Sequence, residues 1–192
     1  MKLEKGDYGY LAKIKREKII LCILLAAGMA CMIGFGYYRY HTMKTIFTVI
    51  GILFSLPIAK VMSGLLVIAP FTPLSIQKKQ EIENRLKEDQ IKENQILWDL
   101  ALSSMEKVRH FPCVVISDKE VFAYYPDGEK KQDYNEAKTY FSNLLKNNSH
   151  RVHFNMTMKE EDFYKKAADT DFRITNPEEA SRVVETIFVY EM

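Results

Sequence analysis

The chain has 192 residues, 27 Lys plus Arg against 25 Asp plus Glu, and a formal net charge of +2. With 47% hydrophobic residues, eight Gly, six Pro and three Cys, it is neither collagen-like, nor low-complexity, nor a disulfide-stapled miniprotein. The near-neutral balance gives no basis for a wholly basic nucleic-acid binder. A mean hydropathy of −0.19 suggests a soluble protein, but the apolar residues are concentrated in the first third.

Ile19 to Tyr38 carries no charge over twenty residues, a length that matches a hydrocarbon core of about 30 Å. After a short linker, Thr45 to Ala69 forms a second apolar stretch, interrupted by Pro57 and Lys60 and closed by Pro70 and Pro73. The pattern predicts a two-pass helical hairpin within residues 1–73, with spans at about 19–38 and 45–69. The bilayer is therefore the first expected partner.

Lys2, Lys5, Lys13, Lys15, Arg16 and Lys18 precede the first span, and Lys78, Lys79 and Arg85 follow the second. The linker offers only Arg39 and Lys44, so both termini are expected in the cytoplasm of a cell-membrane protein. A cleaved signal peptide is disfavoured by the length of the run and by Tyr37-Tyr38-Arg39-Tyr40, which has the character of an interfacial anchor. Gly28-Met29-Ala30-Cys31 lacks the branched apolar residue expected of a lipoprotein cleavage box.

Small residues recur at four-residue spacing, Ala26, Ala30 and Gly34 in the first span and Gly51, Ser55, Ala59 and Ser63 in the second. Such stripes let helices pack against each other or against a second copy, which makes a homo-oligomer an expected partner. Lys60 is the one ionisable residue well inside a span and is the membrane functional candidate. Its expected role is an interfacial anchor, with the span ending near it.

From Leu74 onward 18 basic and 22 acidic residues remain, a net charge of −4 once the nine basic and three acidic residues before Leu74 are removed. No nucleic acid is expected on this part. Residues 74–108 are read as a stalk and amphipathic helix, solvated over Gln77–Gln95 and docked through Leu97, Leu100, Ala101, Met105 and Val108.

Residues 109–192 read as a small mixed α/β domain, so the fold class is α+β or α/β with a β-hairpin and three helices. Phe111–Ser117 and Glu120–Tyr125 form the hairpin around Asp118-Lys119. A helix opens at Asp133 with Glu136 in a capping box and closes at Asn147-Asn148. Arg151–Met156 is a third strand. Thr157 with Glu160 caps a short helix, and Asp171–Ile174 is a brief fourth strand. Asn176-Pro177-Glu178-Glu179 starts a last helix that runs on through Ile187.

His110-x-x-Cys113 and His150-x-x-His153 have the spacing of metal ligands. Residues three apart on a strand face opposite sides, so neither pair converges without a local bend, and no metal or cofactor is expected. No glycine-rich phosphate loop or nucleophile motif occurs, and no catalytic residue is assigned. The opening Met1-Lys2-Leu3-Glu4-Lys5-Gly6-Asp7-Tyr8-Gly9-Tyr10 resembles the start of uncharacterised two-pass membrane proteins of Gram-positive bacteria. The resemblance covers ten residues and implies no activity. Read from its residues, Gly6–Tyr10 is a turn with aromatics suited to a membrane interface.

The expected function is an integral membrane protein, not an enzyme, that presents the domain to an unidentified protein partner or ligand. The alternatives are a membrane-tethered enzyme and an oligomeric pore.

Overall fold

The computed structural model describes residues 3–42, 44–88, 95–104, 107–126, 131–148, 152–169 and 174–191. The chain forms two compact units, one from Ala12–Thr72 and the other from Met1–Leu11 with Pro73–Met192.

The first unit is helical. Helix α1 runs Tyr10–Tyr40. It stops at His41, whose φ of +50° is the left-handed conformation of a helix terminus and whose N–H returns to the Tyr37 carbonyl at 2.8 Å. Thr45 caps α2 (Ile46–Leu53) by accepting the Thr48 N–H. Pro57 has no N–H for the Leu53 carbonyl, so the helix breaks at Phe54 and resumes as α3 (Ser55–Ile68), with Pro57 tolerated in its first turn.

The helices α1 and α2–α3 are long and apolar enough to cross a membrane. They run antiparallel. Lys18 Nζ lies 3.4 Å from the Gly64 carbonyl, and Lys15 Nζ donates to the carbonyls of Ala69 and Phe71. A Cβ on Gly51 would fall 2.6 Å from Ile33 Cγ1, so this member of the small-residue stripe does bring the two backbones close. The outward side chains are apolar, with Leu24 65% and Leu56 68% exposed.

The second unit is a four-stranded mixed sheet in the order β1-β2-β3-β4, covered by helices on both faces. Strands β1 (Ile96–Ser103), β2 (Val108–Ile116) and β3 (Glu120–Tyr124) are antiparallel neighbours. Helix α5 (Lys131–Asn147) then crosses over, which lets β4 (His153–Thr157) pair parallel with β3.

On one face α5 contributes Phe141 and Leu145, and α7 (Pro177–Tyr190) contributes Val183 and Ile187, packed on Leu100, Phe111 and Val114. On the other face α4 (Ile76–Glu88) contributes Ile82 and Leu86, and α6 (Glu160–Asp169) contributes Phe163, packed on Trp98, Cys113 and Val115.

This architecture corrects the expected stalk. Within α4, as described to Glu88, Ile82 and Leu86 are wholly buried while Ile76 is exposed, so the helix packs on the domain rather than forming a solvated spacer. Residues 96–103 are a strand, not a continued helix. The run Ile96–Leu102 is buried on both sheet faces, so its apolar residues are nearly continuous and mimic helical spacing.

Helix α5 starts at Lys131 rather than Asp133, and the Asp133 carboxylate pairs with Lys107 instead of closing a capping box. The Thr157 hydroxyl is buried in β4 without a hydrogen bond among the described residues and does not cap α6. Of the expected fourth strand, residues 171–173 lie outside the described residues, and Ile174 is not in a strand. The last helix forms as read, with Asn176 accepting the Glu179 N–H at 3.3 Å.

Candidate functional site

The N-terminal turn is not a free membrane-interface segment. It is strapped across β1. The Trp98 N–H donates to the Gly6 carbonyl at 2.8 Å, continuing the sheet edge, and the Tyr8 hydroxyl donates to the Leu74 carbonyl at 2.5 Å. Tyr8 meets Trp98 edge to face at 6.3 Å, with the Lys79 ammonium within 6 Å of both rings. Lys5 Nζ donates to the carbonyls of Phe188 and Glu191, at the end of α7. Gly6 has a φ of +83°, so the backbone requires glycine, and a Cβ there would also press on Leu97 Cδ2 at 2.9 Å.

Under this strap the sheet changes phase. Asp99 has a φ of +52° and sits opposite Pro112; the pairing runs from Trp98↔Cys113 straight to Leu100↔Phe111. Leu97 and Leu100 consequently share one face, as do Phe111 and Val114. That shift is the local bend which the metal-spacing argument lacked. It turns His110 toward the face that holds Cys113.

The Asp99 carboxylate is buried; Oδ2 accepts the Gly9 N–H at 2.8 Å, and Oδ1 lies 3.7 Å from His110 Nε2. Burial, reinforced by the Asp99 charge, pushes the Cys113 thiol pKa far up and keeps it a protonated packing group. His153 is exposed at the start of β4, two strands away, and His150 lies outside the described residues. Among the described residues no three metal-binding side chains come together.

At the edge of the sheet Glu191 bridges Leu102, so Gly6 and Glu191 between them cover the outer side of β1. Burial raises the Glu191 carboxyl to about 7, against the pull of Lys5.

A groove of about 570 Å³ lies between α5 and the neighbouring Ser104 and Arg109. Its floor is Arg109, 4% exposed. Arg109 Nη1 donates to Ser104 Oγ at 3.1 Å, Nη2 stands 3.5 Å from Glu136 Oε2, and the guanidinium lies 5.5 Å over the Tyr140 ring. Tyr140 is fixed in turn by its hydroxyl on the Ser103 carbonyl at 2.6 Å.

Lys107 pairs with both Asp133 and Glu136, and the Asp133 hydrogen bond holds its pKa above the ordinary lysine value. Asn135, Thr139 and Asn143, four residues apart on α5, form an uncharged hydrogen-bonding wall. The apolar stripe of this helix is the stronger sequence pattern and masks the polar one. The Asn-x-x-x-Thr-x-x-x-Asn spacing was the available signal.

Lys60 is exposed on α3, four residues before Gly64. The helix runs on to Ile68, so the expected end of the span near Lys60 is not a turn. No protein-family model, curated protein or solved structure matches this chain.

Proposed function

We propose that this chain is a two-pass integral membrane protein that holds its α+β domain and both termini in the cytoplasm, where the domain binds a ligand or partner. The strap carries the topological half of this reading. Residues 4–9 precede the first apolar helix yet hydrogen-bond to Leu74, Trp98, Asp99 and Glu191, which follow the second. A segment and a domain so joined lie on one side of any membrane. Cleavage after the first apolar helix would remove the strap from the chain. The basic residues flanking the hairpin favour the cytoplasm as that side.

Lys60 fits this arrangement as an anchor. It lies four residues, roughly 6 Å, below the level at which Lys18 meets Gly64. A lysine stem reaches over such a distance toward headgroups, so the cost of a charge at mid-bilayer does not apply in full.

The Arg109 groove carries the binding half. Its titratable groups are tied into ion pairs, Lys107 with Asp133 and Glu136 and Arg109 with Glu136, which suits recognition better than proton transfer. The test is to purify the full chain from native membranes in mild detergent and identify retained small molecules and proteins by mass spectrometry. Thr139→Arg, on the exposed wall of the groove, should remove whatever the wild type retains. Equal retention by both, or none by the wild type, would count against a binding role for the groove.

A further inference from the structure

We infer that the Arg109 groove is a site for a small polar molecule bearing a carboxylate, an inference that rests on reading this groove as the binding site. Burying a guanidinium is costly unless its five N–H donors are satisfied. Arg109 is 4% exposed, and its Nε has no hydrogen-bond partner among the described residues. The Nη1 side is occupied by Ser104 Oγ at 3.1 Å. On the opposite edge, Nε with Nη2, the partner found among the described residues is the Glu136 oxygen, 3.5 Å from Nη2 and beyond good hydrogen-bond length.

That edge is a planar two-donor fork, the geometry that a carboxylate occupies with two parallel hydrogen bonds. Glu136 can yield the fork without being left unpaired, because Lys107 stands 3.4 Å from the same Oε2. An incoming carboxylate thus displaces a loosely held internal one and satisfies the buried Nε. The remainder of the ligand would lie along Asn135, Thr139 and Asn143, which offer amide and hydroxyl groups and no charge. A volume of about 570 Å³ suits a small molecule.

The probes are L-lactate and its uncharged isostere L-lactamide, titrated by ligand-observed NMR against the full chain in nanodiscs. Lactate should bind and lactamide should bind about tenfold more weakly, the margin of a charge-assisted bidentate pair. Arg109→Lys keeps the charge but removes the fork and should weaken lactate about tenfold. Glu136→Gln removes the competing carboxylate and should tighten lactate by about threefold or more. This opposite sign guards against a trivial folding defect in the arginine variant.

Equal binding of lactate and lactamide that is lost in Thr139→Arg would overturn the carboxylate assignment while sparing the binding reading. Weaker lactate binding in Glu136→Gln would show that Glu136 is needed where it stands and would also overturn the assignment. Absence of binding by both probes in wild type and Glu136→Gln alike would overturn it too.

Discussion

A fragment starting at Glu93, which the stalk reading would expect to fold alone, should fail to do so. It lacks α4, and with it Ile82 and Leu86, both fully buried; each contributes about 1.5–3 kcal/mol on burial. It also lacks the strap. Loss of the Tyr8–Trp98 contact costs about 0.5–1.5 kcal/mol, and loss of the Gly9 donor to buried Asp99 costs about 1–3 kcal/mol. The combined loss, about 5–10 kcal/mol, is of the order of the whole stability of a domain this size, about 5–15 kcal/mol.

A fragment starting at Pro73 keeps α4 and loses only the strap. It should fold with reduced stability and regain part of the loss when a peptide of residues 3–11 is added. Trp98 is the only tryptophan of the chain and is 5% exposed, so its emission reports the strap directly. The assay is urea unfolding followed by Trp98 fluorescence on both fragments. Emission should be red-shifted in the Pro73 fragment and return toward the blue with the peptide. A cooperative transition with buried-tryptophan emission in the Glu93 fragment would refute the reasoning.

Glu191, with its folded carboxyl near pH 7 against an ordinary value of 4.5, binds a proton that the unfolded chain has released; stability should therefore fall as pH rises between those values and level off above about 7. The loss is about 3 kcal/mol at most, and urea midpoints across pH 5–8 should show a slope in the wild type that Glu191→Gln flattens. Asp118 Oδ2 accepts the Asn176 N–H at 3.0 Å together with the Thr175 N–H and hydroxyl, so Asp118→Ala should cost about 1–3 kcal/mol by thermal melting and loosen the start of α7. Lys60→Arg and Lys60→Leu should leave oligomer mass in detergent and ion flux in liposomes unchanged; a clear shift in either with Lys60→Leu would favour a pore over an anchor.

The hairpin helices were legible because twenty uncharged residues have few other uses, and α7 was legible because Asn176, Pro177 and two acids form a local start signal. Strands β2 and β3 were legible from β-branched residues around a short polar turn. The misread elements depend on partners distant in sequence. Strand β1 looks helical because both of its faces are covered.

The phase change at Asp99 falls opposite a residue 13 positions away, Pro112, and under the strap 90 positions away. No local pattern announces either. Residues Gly6 and Gly9 did signal a turn, and both have left-handed φ, but nothing in the turn says what it docks on. Arg109 was invisible as a site residue because a strand arginine is ordinarily a surface charge. Only its burial beneath Tyr140 distinguishes it.

The central claim is that the strap and the domain occupy one side of the membrane, with the hairpin turn on the other. Single cysteines at Glu4, Lys119 and Thr42, all exposed, in a chain with Cys22, Cys31 and Cys113 replaced, test it through an impermeant thiol reagent on intact and then permeabilised cells. The account expects Thr42→Cys to label on intact cells and Glu4→Cys and Lys119→Cys to label only after permeabilisation. Opposite labelling of Glu4→Cys and Lys119→Cys on intact cells would contradict it.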